Sequence, residues 1–337
     1  MTISSDQTNL PAQIAEAING IPKSFVPSSI KALDRLVGAT VDIPVAWLAQ
    51  QKAKIDAQTN AYTVVEGAIA RRAADEAGAN PLVVDRAVDV LVRKAYRKQG
   101  NREQVGLAMI EDLRTQAEPP LTAAAQTTDT PTIDDDWLNV FERYAEDASS
   151  ERMQKLWGRV LAGEVRTHGR YSLRTLRFLS EFSQADALSF SSFCASAFGD
   201  IAPAGLVKPS GGDGDIRPLI YMESAGLLQG ASGVGLQYRQ KFDAAGQSVI
   251  MEGPLVVILK GEPNTQFSTA VVSLTPMGQE LLALLPDRDA RAAARRVAQS
   301  IRTPQIKAAY LAGLVGGQAT MPMEILWQEE GVPGAAP

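Results

Sequence analysis

The sequence predicts a mainly α protein: a helical N-terminal region and a central helical bundle, followed by a winged-helix-like α+β unit. Three observations carry that expectation. From Pro44 to Ala117 the chain is rich in Ala, Lys, Arg, Glu and Gln, a strong helix-forming composition. From Trp137 to Phe198 apolar residues recur at helical spacing between polar caps. Only beyond about residue 200 do apolar runs of strand length appear, punctuated by Gly and Pro.

With 337 residues the chain is long enough for two or three folded units. The expected divisions are a flexible N-terminal segment 1–43, a long-helix region 44–117, a linker 118–133, a helical bundle 134–200, a winged-helix-like unit 201–286, a C-terminal helical segment 287–327 and a disordered tail 328–337. The opening MTISSDQTNLPAQIAEAI lacks the basic segment and apolar run of a secretory signal. Leu36 to Ala49 is interrupted by Asp42 and Pro44 and is shorter than the roughly 20 residues of a membrane-spanning helix. A cytoplasmic protein without a transmembrane segment is expected. Helix packing accounts for Val41, Ile43, Val45, Trp47 and Leu48 better than a membrane surface does.

The long-helix region reads as three helices, 44–77, 82–99 and 101–117, separated by Gly78 to Pro81 and by Gly100 with Asn101. Val84, Ala87, Val88, Leu91 and Ala95 have the spacing of one buried helix face. Arg93, Lys94, Arg97 and Lys98, followed by Arg102, form a basic cluster that complements a helix C-terminus. Its sharper reading is a phosphate or nucleic-acid contact, although Tyr96 is almost the only aromatic interleaved with it.

In the bundle, Asp134, Asp135 and Asp136 precede Trp137, Val140, Phe141, Tyr144 and Ala148, and serve as a helix cap rather than a metal site. Met153, Leu156, Trp157, Val160 and Leu161 repeat the pattern, with Leu156 and Trp157 the residues expected to matter most for folding. Ser172 is an N-cap, and Ser183 with Asp186 a capping box. Beyond the bundle, Ile216 to Leu228 reads as a helix, and Val249 to Met251, Leu255 to Leu259 and Ala270 to Leu274 as strands. Thr275 and Pro276 open another helix, and Arg288 to Ile301 forms the last.

The inventory of reactive side chains is short. Cys194 and His168 are the sole residues of their kinds, which removes intramolecular disulfides, the usual His/Cys zinc sites and every triad that does not use these two. His168 sits in a polar loop and reads as exposed; Cys194 lies among Phe190, Phe193 and Phe198 and reads as a buried, inert thiol. Ser210 to Asp215 lacks the Lys-Ser/Thr of a phosphate loop, and Gly230, Gly233 and Gly235 lack dinucleotide-fingerprint spacing. Glu164 and Arg170 are expected to form an ion pair across the loop between them. No spacing singles out a carboxylate set for a divalent metal, so no catalytic, cofactor-binding or metal-ligating residue is assigned and no cofactor is expected.

The stretch Trp157-Gly158-Arg159-Val160-Leu161-Ala162-Gly163-Glu164, followed by Gly169, Tyr171, Ser172, Leu173, Arg174, Thr175 and Leu176, resembles the central signature of the bacterial family called domain of unknown function 2806. Arg97 to Glu103 is similar to a second segment of that family, and the likeness spans roughly Ala70 to Leu285. His168 stands where the family tends to have Pro before the Gly at 169. A more distant likeness, to the abortive infection alpha family, implies a role in phage defence. The resemblance brings no agreed catalytic residues.

The functional expectation is a non-catalytic protein-interaction or assembly component of a bacterial defence or stress system, partnered by protein and first by copies of itself. The alternative is a DNA-binding regulator using the winged-helix-like unit. The net charge of -5 disfavours wholesale adhesion to DNA, so such a regulator needs local cations. The residues named for a nucleic-acid contact are Arg217, Arg239 and Lys241, with Arg93, Lys94, Arg97 and Lys98.

Overall fold

The computed structural model describes residues 18, 20–37, 81–115, 133–208, 215–233, 235–285, 288–321 and 323–329. The readings made for 44–77, for most of the linker, for Ser210 to Gly214 and for 330–337 lie outside them, as do the side chains of Val84 and Val88. About half of the protein (51%) is helical and 22% is strand, in two antiparallel sheets, so the mainly α expectation gives way to an α+β fold. The strands that overturn it lie in part where helix was expected, beyond residue 300.

The chain divides into two units, Met1–Leu176 and Arg177–Pro337. The first holds α1 (Val26–Val37), α2 (Pro81–Thr115), α3 (Asp135–Ala145), α4 (Glu151–Arg166) and the start of α5 (Leu173–Glu181). Here α1, α3 and α4 pack on α2 and bury Leu33, Leu36, Val105, Met109, Leu113, Phe141, Trp157 and Val160.

Two helix starts, at Asp134 and Ser172, follow the expected chemistry, and Ser150 caps a third that the sequence reading left unassigned. Asp134 accepts from the Trp137 N–H at 2.9 Å, Ser150 from Met153 at 3.3 Å and Ser172 from Thr175 at 3.3 Å. Leu156, by contrast, is only half-buried, whereas Trp157 is fully enclosed.

The expected break at Gly100 does not occur, because α2 runs through it unbroken. A mid-helix glycine costs only about 1 kcal/mol. The Asn101 amide donates to the Glu146 carbonyl at 2.8 Å, while Lys98 and Arg102 on either side hold the Glu146 carboxylate. The stripe expected to be buried on the 82–99 segment is also displaced: Ala87, Leu91 and Ala95 are exposed, and α2 buries Val105, Met109, Ile110 and Leu113 instead.

The second unit contains α6 (Gln184–Cys194), β1 (Ile201–Pro203), α7 (Ala204–Val207), α8 (Arg217–Ser224), β2 (Leu228–Gln229), β3 (Leu236–Lys241), β4 (Gln247–Glu252), β5 (Leu255–Gly261), β6 (Gln266–Leu274), α9 (Pro276–Leu282), α10 (Ala290–Ser300), β7 (Ile306–Val315), β8 (Gln318–Ala319) and β9 (Glu324–Gln328). The capping box of Ser183 and Asp186 and the Thr275 cap ahead of Pro276 both form. β6 is the hub of one sheet, pairing with β1, β2 and β3; β7 is the hub of the other, pairing with β5, β8 and β9, and β5 also pairs with β4.

The strands read from the sequence are therefore split between two sheets. β4 and β5 form a hairpin turned at Gly253 (φ 54), whereas β3 pairs with β6 in the other sheet, from Leu236↔Val271 to Lys241↔Gln266. α10 and both sheets enclose a core of Phe198, Phe242, Phe267, Val257, Leu259, Val297 and Ile306. The Trp327 indole N–H donates to the Ala298 carbonyl at 2.7 Å, fixing β9 to α10.

Candidate functional site

The residues of the Trp157 to Glu164 stretch are used for packing. Trp157 stacks on Tyr144 at 5.6 Å and meets Phe141 edge-on at 5.5 Å, and Phe141 in turn stacks on Trp137 at 5.1 Å. A Cβ on Gly158 would stand 2.5 Å from Ala108 Cβ and 2.8 Å from the Ala108 carbonyl carbon, so the missing side chain is what lets α4 cross α2. Gly163 does the same for Tyr171, whose ring carbon would lie 2.6 Å from a Cβ. Arg166 extends to Asp112 on α2 at 2.7 Å, with Arg159 at 3.8 Å from the same carboxylate.

Glu164 is buried to 2% exposure, yet the expected pairing with Arg170 is not what satisfies it. Its carboxylate accepts the backbone N–H of Gly169 and, at 3.2 Å, that of Tyr171. It thereby folds the α4–α5 turn, in which Gly169 takes φ 75.

His168 occupies that turn half-buried, not as the exposed, partnerless residue the sequence suggests. Its Nε2 lies 3.0 Å from the hydroxyl of Ser28, which is itself 3% exposed on α1. Burial first, and the nearby Lys31 cation second, push the imidazole below its ordinary pKa and keep it neutral. Hydroxyl and imidazole are at nucleophile–base distance, but the neighbouring charge is a cation that is itself tied to Asp135 at 2.9 Å and to the Ile133 carbonyl at 2.6 Å. Among the described residues no carboxylate orients the ring, and the contact serves to dock α1 on the turn.

The seven cations named from the sequence differ in how they are used. Arg217 forks onto Asp215, with contacts of 2.8 and 3.0 Å, and Arg93 pairs with Asp89 at 2.9 Å. Lys98 is committed to Glu146, which also takes Arg102; burial alone would raise that carboxyl, and the two hydrogen-bonded cations more than reverse it, holding it low. Lys94 and Arg97 on α2, and Arg239 and Lys241 on β3, have no ion-pair partner among the described residues. Arg239 and Lys241 are exposed on the solvent face of the ribbon, opposite Ser268 and Gln266.

On α8 the surface is apolar. Ile220 and Tyr221 are 43% and 52% exposed, and the Tyr221 phenol donates to Asp186 of α6. Glu223 accepts the N–H groups of Gly230, Ala231 and Ser232 at 2.7, 3.1 and 2.8 Å, and the Ser232 hydroxyl and these amides hold its carboxyl low. The glycine-containing turn is thus an anion nest filled by the protein's own carboxylate.

Behind α6, Arg288 reaches the Glu252 carboxylate and the carbonyls of Cys194 and Ala197. Burial pushes the Cys194 thiol up to about 12, as an inert structural cysteine requires. No local pattern in the sequence pointed to the roles of Glu223 and Arg288, which meet their partners through a turn and across distant strands, whereas Glu164 was read as closing its loop but onto Arg170 rather than the backbone. Among the described residues no cluster of three or more His, Cys, Asp or Glu could hold a metal, and no helix is long and apolar enough to cross a membrane.

No curated protein and no solved structure matches the chain. Residues 92–199 match the family described as "Protein of unknown function (DUF2806)", a narrower span than the resemblance in the sequence suggested. The matched residues run from Val92 on α2 to Gly199, and in this chain they include Gly158, where α4 crosses α2, and Glu164, which folds the α4–α5 turn.

Proposed function

We propose that this protein is a non-catalytic interaction or assembly component of the bacterial cytoplasm that binds protein, first a second copy of itself. The setting proposed is phage defence or a stress response, which rests on the distant likeness to the abortive infection alpha family.

The surface of α8 carries the reading. A winged-helix unit that reads DNA needs cations on its exposed helix. Here the single cation, Arg217, is neutralised by Asp215, Glu223 is turned to its own loop, and Ile220 and Tyr221 face solvent. Exposed aromatic and aliphatic side chains of this kind are protein-contact chemistry. Light scattering on the eluting full-length chain tests it. The expected result is a mass above the monomer that is indifferent to duplex DNA and falls with Ile220→Asp; a monomer whose elution shifts onto DNA at low salt overturns it.

A DNA-binding regulator is the second reading, supported by the exposed cations Arg239 and Lys241 on the β3 face. Replacing both with Ala would then lower the salt slope of DNA binding by about 0.9 for each phosphate no longer neutralised. An unchanged slope removes the ribbon from consideration.

A further inference from the structure

The outer edge of β4 is bare in a way that the edges of β3 and β9 are not. β4 pairs with β5 alone, in unbroken register from Gln247↔Lys260 to Glu252↔Leu255. Its backbone groups alternate in direction. The Gly246 carbonyl accepts from Gly261 at the foot of the hairpin, whereas the N–H and carbonyl of Gln247 turn away from β5 and are closed by Asp243 at 2.7 and 2.8 Å. Alternation along an antiparallel ladder then directs Ser248, Ile250 and Glu252 to β5, and Val249 and Met251 outward. Among the described residues nothing hydrogen-bonds to those outward N–H and C=O groups, and the two side chains are 44% and 56% exposed.

Free edges are ordinarily guarded by charge, proline or a bulge. β3 carries Arg239 and Lys241, and β9 carries Glu324 clamped by Arg295. β4 has no such guard, because its one charged residue, Glu252, is held by Arg288 and by the Gly199 N–H. Gly199 also passes beside the Met251 carbonyl, where a Cβ would stand 3.0 Å from the oxygen, so a side chain there would cover the acceptor. The adjoining sheet face is apolar: Val249, Ile258, Tyr310 and Ile325 form one row across β4, β5, β7 and β9.

A second β4 fits this edge. About a twofold axis at Ile250, Val249 lies opposite Met251 of the partner subunit, and Met251 opposite Val249 of the partner subunit. The outward groups then meet as two narrow pairs, which satisfies all of them. The apolar row continues from one copy into the other. Glu252 stands opposite Ser248 of the partner subunit, so no like charges face each other and each carboxylate keeps its own Arg288. A foreign strand has to supply this complement, whereas the chain supplies it by symmetry.

We propose that two copies of the chain join β4 to β4, antiparallel about a twofold axis at Ile250, in one sheet continuous through both. The surface is separate from α8, and the contact does not depend on the α8 reading.

Hydrogen exchange read amide by amide tests it, on full-length chain carrying Ile220→Asp so that α8 makes no contribution. The Val249 and Met251 amides should slow by at least about tenfold over a rise of about a hundredfold in protein concentration, because association closes the outward edge. Mixing Val249→Cys chains with Met251→Cys chains under mild oxidation should link two chains faster than either variant alone, since only the mixed pair meets at about 5.5 Å between Cα atoms. Cys194 is buried and takes no part. Val249→Lys with Met251→Lys should abolish the concentration dependence while the helix and strand content stays the same. Equal exchange at both concentrations overturns the proposal, and so does protection at every concentration, which means that the chain covers its own edge. Mixed chains that link no faster than the single variants overturn it as well.

Discussion

Two glycine-to-alanine changes on crossing helices should move stability in opposite directions. Gly100 and Gly158 both lie inside helices, where alanine is intrinsically favoured over glycine by about 1 kcal/mol. A Cβ at Gly100 meets nothing within 4 Å. Gly100→Ala should therefore keep most of that gain and raise the thermal midpoint by about 2–4 °C, as expected for a unit of this size.

At Gly158 the new carbon would lie 2.5 Å from Ala108 Cβ, 2.8 Å from its carbonyl carbon and 2.9 Å from the Met109 nitrogen. Two of these are backbone atoms, so no rotamer change relieves the contact and α4 must move away from α2 by about 1 Å. Overpacking costs about 1–3 kcal/mol at ordinary sites, and separating two helices across Met109 and Trp157 belongs at or above the top of that range. After the propensity gain, a net loss of about 2 kcal/mol remains. Urea unfolding followed by tryptophan fluorescence reports it, since Trp137 and Trp157 lie in this unit. Stabilisation by Gly158→Ala, or equal shifts in the two variants, would refute the close-crossing argument.

Glu164→Gln keeps the shape of the side chain but weakens its two backbone contacts, and should cost about 1–3 kcal/mol in the same unfolding assay; an unchanged midpoint would mean that the turn folds without the carboxylate. For His168, whose folded pKa is depressed, the unfolded chain takes up a proton first as the pH falls. Its stabilising contribution is complete above about 6.5 and is lost as the pH drops through the folded value, so His168→Gln should flatten the stability profile below about pH 6.5; parallel profiles would sink that assignment. Arg288→Met leaves the partly buried Glu252 without its partner and should destabilise by less than the about 3–5 kcal/mol of a fully buried pair, with Cys194 becoming open to alkylation in parallel. Native Cys194 should react only at the rate of unfolding, and prompt alkylation at pH 8 would contradict its burial.

Local rules were legible in the sequence wherever the partner lies within a few residues. The caps at Asp134, Ser172, Ser183 and Thr275, the stripe through Trp137 and Phe141, and the inert surroundings of Cys194 all belong to this class. The strand content did not. Ile306 to Val315 reads Ile-Lys-Ala-Ala-Tyr-Leu-Ala-Gly-Leu-Val, which is alanine-rich and lacks alternation because both faces of a central strand are covered.

The continuity of α2 through Gly100 was likewise decided by Glu146, which is far away in sequence. Arg217, Arg93 and Lys98 looked like free cations until Asp215, Asp89 and Glu146 were placed beside them, and only the last of these three lies beyond local reach. The sequence by itself determined several helix caps and the poverty of reactive groups, because those follow from near neighbours and from counting. Which apolar stripe is buried, which charge is neutralised and which strands share a sheet were settled only by tertiary structure, because burial and charge pairing are properties of residues brought together from across the chain.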